Sequence, residues 1–146
     1  MKGQSKGMAV ITGASSGIGA VYADRLARRG YDLLLVARSR QPMEALAKRL
    51  AADTGHKVEI LAADLTDSND LAGVERALRE DPRITLLVNN AGIASTAPLL
   101  NSDVTEMSRI IALNVNALTR LTYAVVPAFV KRGSGTLNSF QIFGIG

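Results

Sequence analysis

The sequence predicts an α/β protein built on a doubly wound parallel sheet, and two observations support this prediction. Short apolar runs alternate with longer segments in which apolar residues recur at helical spacing. The short runs are apolar along their whole length, which is typical of parallel strands buried on both faces. Right-handed crossovers then place helices on both faces of the sheet, giving three α/β/α layers with the strand order 3-2-1-4-5.

The predicted elements follow one another after short turns. Strands are predicted at Met8–Thr12, Asp32–Arg38, Lys57–Ala63, Ile84–Asn90 and Gly135–Phe140. Helices are predicted near Gly17–Gly30, Gln41–Ala52 and Thr66–Asp81, followed by a longer helix from Asp103 to Gly133. Asp103 and Glu106 have the spacing of a capping box.

Apolar spacing supports the first two helices. In the first helix the residues at helical spacing are Ile18, Val21, Tyr22, Leu26 and Ala27. In the second helix Met43, Leu46, Ala47 and Leu50 lie on one face. Ligands in such sheets bind beyond the carboxyl ends of the strands, so the residues that follow each strand are the candidates for a site.

The composition is that of an ordinary globular chain and excludes several kinds of site. The chain has 146 residues, 47% of them apolar, and we expect residues 1–146 to form a single domain. The absence of cysteine excludes disulfides, thiolate metal sites and a cysteine nucleophile. We predict no metal site, and we expect His56, the single histidine, to be a solvated loop residue.

The net charge of +4 comes from basic residues that are scattered along the sequence. Only three Tyr and three Phe accompany them, which disfavours a nucleic-acid interface. No uninterrupted apolar run approaches the roughly 18 residues of a membrane span, and the first apolar run is too short for a secretory signal. We therefore expect a cytoplasmic protein that binds neither nucleic acid nor a membrane.

The first predicted strand leads into a glycine-rich turn that opens the first helix. The sequence from Thr12 to Gly19 reads TGASSGIG. Glycines here permit a tight turn and close approach of the backbone to a diphosphate, while the helix N-terminus attracts anions. The candidate phosphate-binding residues are Gly13, Ser15, Ser16, Gly17, Ile18 and Gly19. A plain glycine turn is the alternative, and the strand–turn–helix context favours the phosphate site.

Three further motifs follow the glycine turn in order. Asp64 and Leu65 come after the third strand, NNAG occupies Asn89–Gly92 after the fourth, and Asn114 lies in the long helix. Together with the Gly-x-x-x-Gly-x-Gly spacing, these motifs resemble the short-chain dehydrogenase/reductase family along the whole chain. The resemblance implies a Rossmann-type fold that lacks the family's C-terminal strands and helices, because the chain is little more than half as long as a usual member.

The resemblance also implies roles for these motifs. Asn90 would brace neighbouring strands, and Ala91 and Gly92 would run beside the nicotinamide ribose. Asp64 and Leu65 would border the adenine ring. A turn that closes the fourth strand is the simpler explanation of NNAG, and both explanations can hold. For Asp64, the alternative is an N-cap of the following helix.

The end of the second strand bears on the choice between NAD and NADP. An acidic residue at this place would bind the ribose 2′-hydroxyl of NAD, but the sequence reads VARSR without an acid. Arg38 is placed to pair with a 2′-phosphate, and Ser39 can add a hydroxyl contact. Relatives that prefer NADP carry an Arg here, so the resemblance also favours NADP over NAD. The alternative is that Arg38 is a solvated loop residue.

The resemblance implies hydride transfer between nicotinamide and the carbonyl or alcohol carbon of a small substrate. A Tyr-x-x-x-Lys pair would handle the proton, assisted by a Ser and the helix Asn. Four residues after Tyr22, Tyr31 and Tyr123 stand Leu26, Leu35 and Pro127, and none of these is a lysine. We therefore expect the chain to end before that pair and to bind its cofactor without efficient turnover. A working enzyme with its catalytic groups in a continuation is the alternative.

The last segment departs from the family pattern around its serine. Ser139 follows Asn138 too early, and Ile142 stands where the serine is expected. A compensated frameshift in the gene would produce such local scrambling. Asn114 is then the one member of the catalytic set in place, and a role in shaping a helix kink would also explain its presence.

A third hypothesis is that the chain is a non-catalytic dinucleotide-binding or dimerisation module. The helix over residues 103–131 resembles the family's dimer surface and carries an apolar stripe. The stripe consists of Ile110, Leu113, Ala117, Leu121 and Val125. Packing of this stripe on the sheet is the simpler explanation. Because a sheet that ends at the fifth strand leaves an open edge, we also expect lowered stability and some self-association.

Overall fold

The computed structural model describes residues 3–139, and these residues contain one parallel sheet with helices on both faces. The five strands have the order β3-β2-β1-β4-β5, which confirms the predicted fold. The strands are β1 (Met8–Thr12), β2 (Asp32–Ala37), β3 (Val58–Ala62), β4 (Ile84–Asn89) and β5 (Thr136–Ser139). Phe140 and Ile142, which the sequence places at and beyond the end of β5, lie outside the described residues.

The helices lie close to their predicted positions. They are α1 (Gly17–Arg28), α2 (Arg40–Thr54), α3 (Ser68–Glu80), α4 (Val104–Ile111) and α5 (Leu118–Arg132). A short 3-10 helix, Leu99–Asn101, precedes α4. Gly55 and Gly133 end α2 and α5 in the left-handed conformation that glycine adopts without strain.

The two faces of the sheet bury separate apolar clusters. In β1, Met8 and Val10 face one side, and Ala9 and Ile11 face the other. The first cluster is completed by α3 and α5, and the second by α1 and α2. Alternate side chains of one strand therefore enter different layers, as expected for a sheet covered on both faces.

All four residues of the apolar face of α2 are buried, whereas the apolar residues at helical spacing in α1 are buried only in part. Leu26 and Ala27 are buried, but Ile18 and Val21 are each 51% exposed. The buried stripe begins instead at Gly19 and continues through Ala23. Because Gly19 packs against the glycine turn, the helix is rotated so that its small residues face the sheet.

The predicted long helix is interrupted by a π-helical segment at Ala112–Ala117. Asn114 lies inside this segment, which separates α4 from α5. A π-segment of this kind is common at functional sites.

The predicted capping box is only half right. The Asp103 side chain caps α4, but it accepts its hydrogen bond from the backbone N–H of Thr105 and not from that of Glu106.

The apolar stripe on the long helix packs mainly on the sheet. Ala117, Leu121 and Val125 are buried there, and Leu113 packs against the same cluster. The helical stretch Val104–Arg132 is long and apolar enough to cross a membrane. Core helices of soluble proteins share that length and composition, and the buried face of α5 belongs to the core of this fold.

His56 lies in a loop as expected, but the expectation that it is solvated is wrong. Its side chain is only 14% exposed, and its Nδ1 atom lies 3.4 Å from Oδ1 of Asp32. The same Asp32 oxygen accepts a hydrogen bond from the backbone N–H of Lys57 at 3.0 Å. The loop between α2 and β3 therefore folds onto the start of β2 and partly covers the imidazole.

Candidate cofactor site

A cleft of about 440 Å³ lies at the carboxyl ends of the strands. This volume is in the range of small-molecule and cofactor sites. Of the residues predicted to bind a cofactor, the cleft is lined by Gly13, Ser15, Ser16, Gly17, Ile18, Arg38, Ser39, Asp64, Leu65, Asn90, Ala91 and Gly92. These residues follow four different strands, and the parallel sheet brings them to one edge. Gly19 alone of the predicted set lies behind the lining.

The glycine turn needs glycine at defined positions. Gly13 and Gly17 have φ values of +65° and +56°, which are strained for other residues. At Gly19 a Cβ atom would lie 2.6 Å from Nδ2 of Asn90 and would collide with the backbone oxygen of Gly13. The helix α1 begins at Gly17, so its free backbone N–H groups lie beside the cleft.

Thr12 connects the glycine turn to the NNAG segment. Its buried hydroxyl oxygen accepts hydrogen bonds from the backbone N–H groups of Asn90 and Ala91, each at 3.0 Å. The hydroxyl donates to the backbone oxygen of Val88 at 3.4 Å. Asn90 adds a side-chain bond from Nδ2 to the backbone oxygen of Gly13 at 3.2 Å. The two cofactor-lining segments are thus held together by bonds that cross between β1 and β4.

Asn114 holds the far wall of the cleft. Its Oδ1 atom accepts from the backbone N–H of Ile93 at 3.0 Å, and its Nδ2 atom donates to the Ile93 oxygen at 2.7 Å. A Cβ atom at Gly92 would lie 3.2 Å from this Oδ1. The buried amide therefore positions the segment after NNAG, a role that differs from the helix kink expected from the sequence.

The end of β2 presents a cation without a partner among the described residues. Arg38 is exposed and lines the cleft, and it forms no ion pair within residues 3–139. Ser39 is the N-cap residue of α2, but its side chain makes no capping hydrogen bond. Arg40, two residues away, pairs with Glu44 at 3.4 Å and lies outside the cleft lining. The polar groups of Arg38 and Ser39 thus remain available to a ligand.

The Asp64 side chain is fixed by hydrogen bonds within a local turn and does not cap α3. Thr66 donates its hydroxyl at 2.6 Å and its backbone N–H at 2.9 Å to Oδ1 of Asp64. The hydroxyl bond is the main reason that the pKa of Asp64 lies below its ordinary value. The N-cap of α3 is Asp67, so the capping alternative for Asp64 is wrong.

Several cleft residues were not among the predicted set. They are Val36, Ala37, Ala63, Thr66, Ile93, Arg109 and Leu113. Most of them directly precede or follow a predicted residue, so the rule that sites lie at strand ends could have found them. Arg109 is different, because it comes from α4 and only the packing of that helix brings it to the cleft.

The remaining candidates lie apart from the cleft. Ser139 is exposed, pairs in register with Asn89 at the end of β5, and does not line the cleft. Tyr22 and Tyr31 pack against the apolar cluster beside α1 and α2, and Tyr123 is 78% exposed. Among residues 3–139, no three His, Asp or Glu side chains are grouped as metal ligands.

The sequence matches a known protein family over most of its length. The family model described as short chain dehydrogenase matches residues 7–138. The chain belongs to the short-chain dehydrogenase family. The fold, the glycine turn and the NNAG segment of this family member agree with the resemblance found in the sequence.

Solved structures and curated relatives agree with the assignment to the short-chain dehydrogenases. A short-chain dehydrogenase from Sphingobium yanoikuyae in complex with NADPH is 52% identical, with a TM-score of 0.89 over 91% of this chain. The bulky-bulky ketone specific alcohol dehydrogenase from Comamonas testosteroni is 44% identical, with the same TM-score and coverage. The very-long-chain 3-oxoacyl-CoA reductase of Vanderwaltozyma polyspora is 38% identical over 84% of this chain.

This short-chain dehydrogenase chain spans only part of each relative. It covers 52% of the Sphingobium chain, 53% of the Comamonas chain and 36% of the Vanderwaltozyma reductase. Residues 7–138, which the family model matches, include all the residues that line the cleft.

Proposed function

We propose that the chain binds NADP(H) in the cleft at the carboxyl ends of its strands. The observation that carries this proposal is Arg38, an unpaired cation in the cleft where an NAD-binding protein would place an acid. Ser39 and the start of α1 supply further donors for phosphate groups. The Sphingobium relative, whose structure holds NADPH, supports the same choice of cofactor.

The proposed arrangement follows the geometry of the cleft. The glycine turn and the N-terminus of α1 would hold the diphosphate, and Arg38 and Ser39 would hold the ribose phosphate. Asp64 and Leu65 would border the adenine, and Oδ2 of Asp64 receives no hydrogen bond from a described residue. An adenine amino group can donate to this oxygen.

We propose that hydride transfer to or from a small carbonyl or alcohol substrate is the activity of the family site, and that this chain turns over poorly. None of its tyrosines is followed at the required spacing by a lysine. Without a tyrosine of lowered pKa, the proton step lacks its general acid–base. Asn114 contributes by holding the Ile93 backbone at the cleft wall.

A fluorescence titration with NADPH and NADH tests the proposal. We expect saturable binding that favours NADPH, because a 2′-phosphate adds charge-assisted hydrogen bonds. Arg38→Gln should lower the NADPH affinity roughly tenfold or more and change the NADH affinity much less. Arg40→Gln is the matched control, since it removes the same charge from a side chain outside the cleft.

The outcomes separate the alternatives. Equal affinity for both cofactors, or no effect of Arg38→Gln, contradicts the choice of NADP. No binding of either cofactor contradicts the binding function itself. NADPH oxidation with a panel of ketones at a rate typical of enzymes, with a kcat near 10 per second, contradicts the proposed low turnover.

A second proposal is that α4 and the π-segment form a homodimer surface. Val104, Met107, Ile111 and Val115 recur at helical spacing and are exposed, and Leu100 beside them is 95% exposed. An exposed apolar row of this kind marks an interaction site. Sedimentation velocity should show a dimer, and Ile111→Lys should shift it to a monomer; a monomeric wild-type chain would contradict the proposal.

We also propose that the protein is cytoplasmic and is not inserted in a membrane. The long apolar helix supports this, because its buried face packs against β4 and α3 instead of standing free. After cell fractionation we expect the chain in the supernatant, and extraction only by detergent would contradict the proposal.

A further inference from the structure

Arg109 is a cation that the fold, and not the sequence motif, brings to the cofactor cleft. It lies on α4 and is exposed, yet it lines the same cleft as Arg38 and Asp64. The three residues come from three separate parts of the chain: the end of β2, the end of β3 and the helix after β4. Two positive charges and one negative charge therefore line the part of the cleft that is proposed to hold the adenosine.

These charges act on one another. The pKa of Asp64 is lowered first by the hydroxyl of Thr66, and the positive charges of Arg38 and Arg109 lower it further. Coulomb interactions are mutual, so the carboxylate also attracts both guanidinium groups. Among the residues 3–139, the side chain of Arg109 forms no ion pair and no hydrogen bond, in contrast to those of Arg83 and Arg120.

The carboxylate of Asp64 poses a problem for a phosphate ligand. Beside a single Arg38, its negative charge would cancel the positive charge that attracts a 2′-phosphate. A second cation restores a net positive charge to this end of the cleft while leaving Asp64 ionised as a hydrogen-bond acceptor. Arg109 lines the same cleft and can supply this second positive charge.

We propose that Arg109 is a specificity-determining residue that strengthens binding of adenosine ligands carrying a 2′-phosphate by offsetting the charge of Asp64. The inference rests on the proposed binding of NADP(H). Arg109 would act through the electrostatic potential of the cleft. It is therefore not a catalytic residue.

Calorimetric titration of the full chain with 2′,5′-ADP and with 5′-AMP tests this inference, because the two ligands differ by the 2′-phosphate alone. Arg109→Gln should weaken 2′,5′-ADP binding roughly fivefold at low salt and affect 5′-AMP much less. Arg109→Lys should keep most of the affinity because it keeps the charge. The loss should shrink as salt is raised, since the side chains of Arg38 and Arg109 are exposed.

Two comparisons separate charge compensation from a structural role. In an Asp64→Asn background, Arg109→Gln should cost clearly less than in the wild-type background, because the charge to be offset is gone. The melting temperature of the unliganded chain should not change, and Arg40→Gln should leave both affinities unchanged.

Each outcome bears on a defined claim. If the wild-type chain binds NADPH and 2′,5′-ADP but Arg109→Gln binds them equally well, the role of Arg109 is wrong and the proposed function stands. If Arg109→Lys loses as much affinity as Arg109→Gln, charge is not the cause and the inference also fails. If the wild-type chain binds neither ligand, the proposed function fails and this inference fails with it.

Discussion

The shape of the cleft depends on the hydroxyl group of Thr12 and on the absence of a side chain at Gly19. Thr12 accepts two backbone hydrogen bonds from NNAG, and Gly19 leaves no room for a methyl group beside Gly13. Neither residue contacts the cleft directly, and both hold residues that do. At the residue scale the site is therefore sensitive to changes that do not remove any ligand-binding group.

We predict that Thr12→Val destabilises the protein although it keeps the side-chain shape. The backbone N–H groups of Asn90 and Ala91 would lose their acceptor, at a cost of about 2–4 kcal/mol together. Urea unfolding monitored by circular dichroism measures this. Thr119→Val is the control: its exposed hydroxyl donates only to the Val115 carbonyl, so the change should stay within about 0.5 kcal/mol. Similar losses in both variants would contradict the role of Thr12.

We predict opposite effects for two glycine-to-alanine changes. Gly19→Ala should cost about 1–3 kcal/mol and weaken NADPH binding, because the new methyl group forces the glycine turn to move. Gly73→Ala should stabilise by about 0.5–1 kcal/mol, since Gly73 lies in α3 with nothing within 4 Å of a Cβ atom. Thermal unfolding with and without NADPH checks both, and a neutral Gly19→Ala would contradict the close packing of the turn.

At the scale of elements, an ion pair between a buried carboxylate and a half-exposed guanidinium ties α3 to α5. Glu75 is 5% exposed, and its carboxylate oxygens lie 3.1 and 3.2 Å from Nη2 of Arg120. The pair lies outside the cleft but joins the helices that cover one face of the sheet. The pair helps to orient α3 relative to α5, because a buried carboxylate is tolerated only beside an opposite charge.

We predict that Arg120→Gln destabilises the protein by about 1–2 kcal/mol, because it leaves the Glu75 carboxylate without its partner. Arg40→Gln removes an exposed pair and should leave the urea midpoint nearly unchanged. A double variant, Glu75→Gln with Arg120→Gln, should recover part of the loss. Additive losses in the double variant would show that the pair is not coupled.

At the scale of the whole molecule, acid sensitivity follows from carboxylates that are better bound in the folded state. Bonds from Arg83 hold the pKa of Asp81 below its ordinary value, and the Thr66 hydroxyl does the same for Asp64. A lowered pKa means that the folded state binds its proton less tightly than the unfolded chain. The stabilisation is therefore complete above about pH 5 and is lost as the pH falls through the lowered pKa values.

We predict that the free energy of unfolding falls between pH 5 and pH 2.5, by an amount that Asp81→Asn reduces. Arg83→Gln should flatten the same part of the curve, and combining the two changes should flatten it no further. Urea unfolding at a series of pH values measures the slope. An unchanged slope in both variants would show that the Asp81–Arg83 contact is absent in solution.

The sequence by itself determined the parts of this protein that depend on local requirements. Apolar runs, helical spacing and the glycine pattern predicted the strand order, the apolar face of α2 and the segments that line the cleft. The reason is that a backbone needing glycine, or a strand buried on both faces, restricts the residue types at each position. Cofactor choice and turnover stay predictions that binding and rate measurements must test.

The tertiary structure decided what depends on residues far apart in the chain. The rotation of α1, the partial burial of His56 on Asp32, the π-segment at Asn114 and the approach of Arg109 to Asp64 all follow from long-range contacts. Local spacing carries no information on these features, because the angle at which a helix lies on the sheet depends on the side chains beneath it. The packing of α4 thus brings a charge to the cleft that the motifs do not contain.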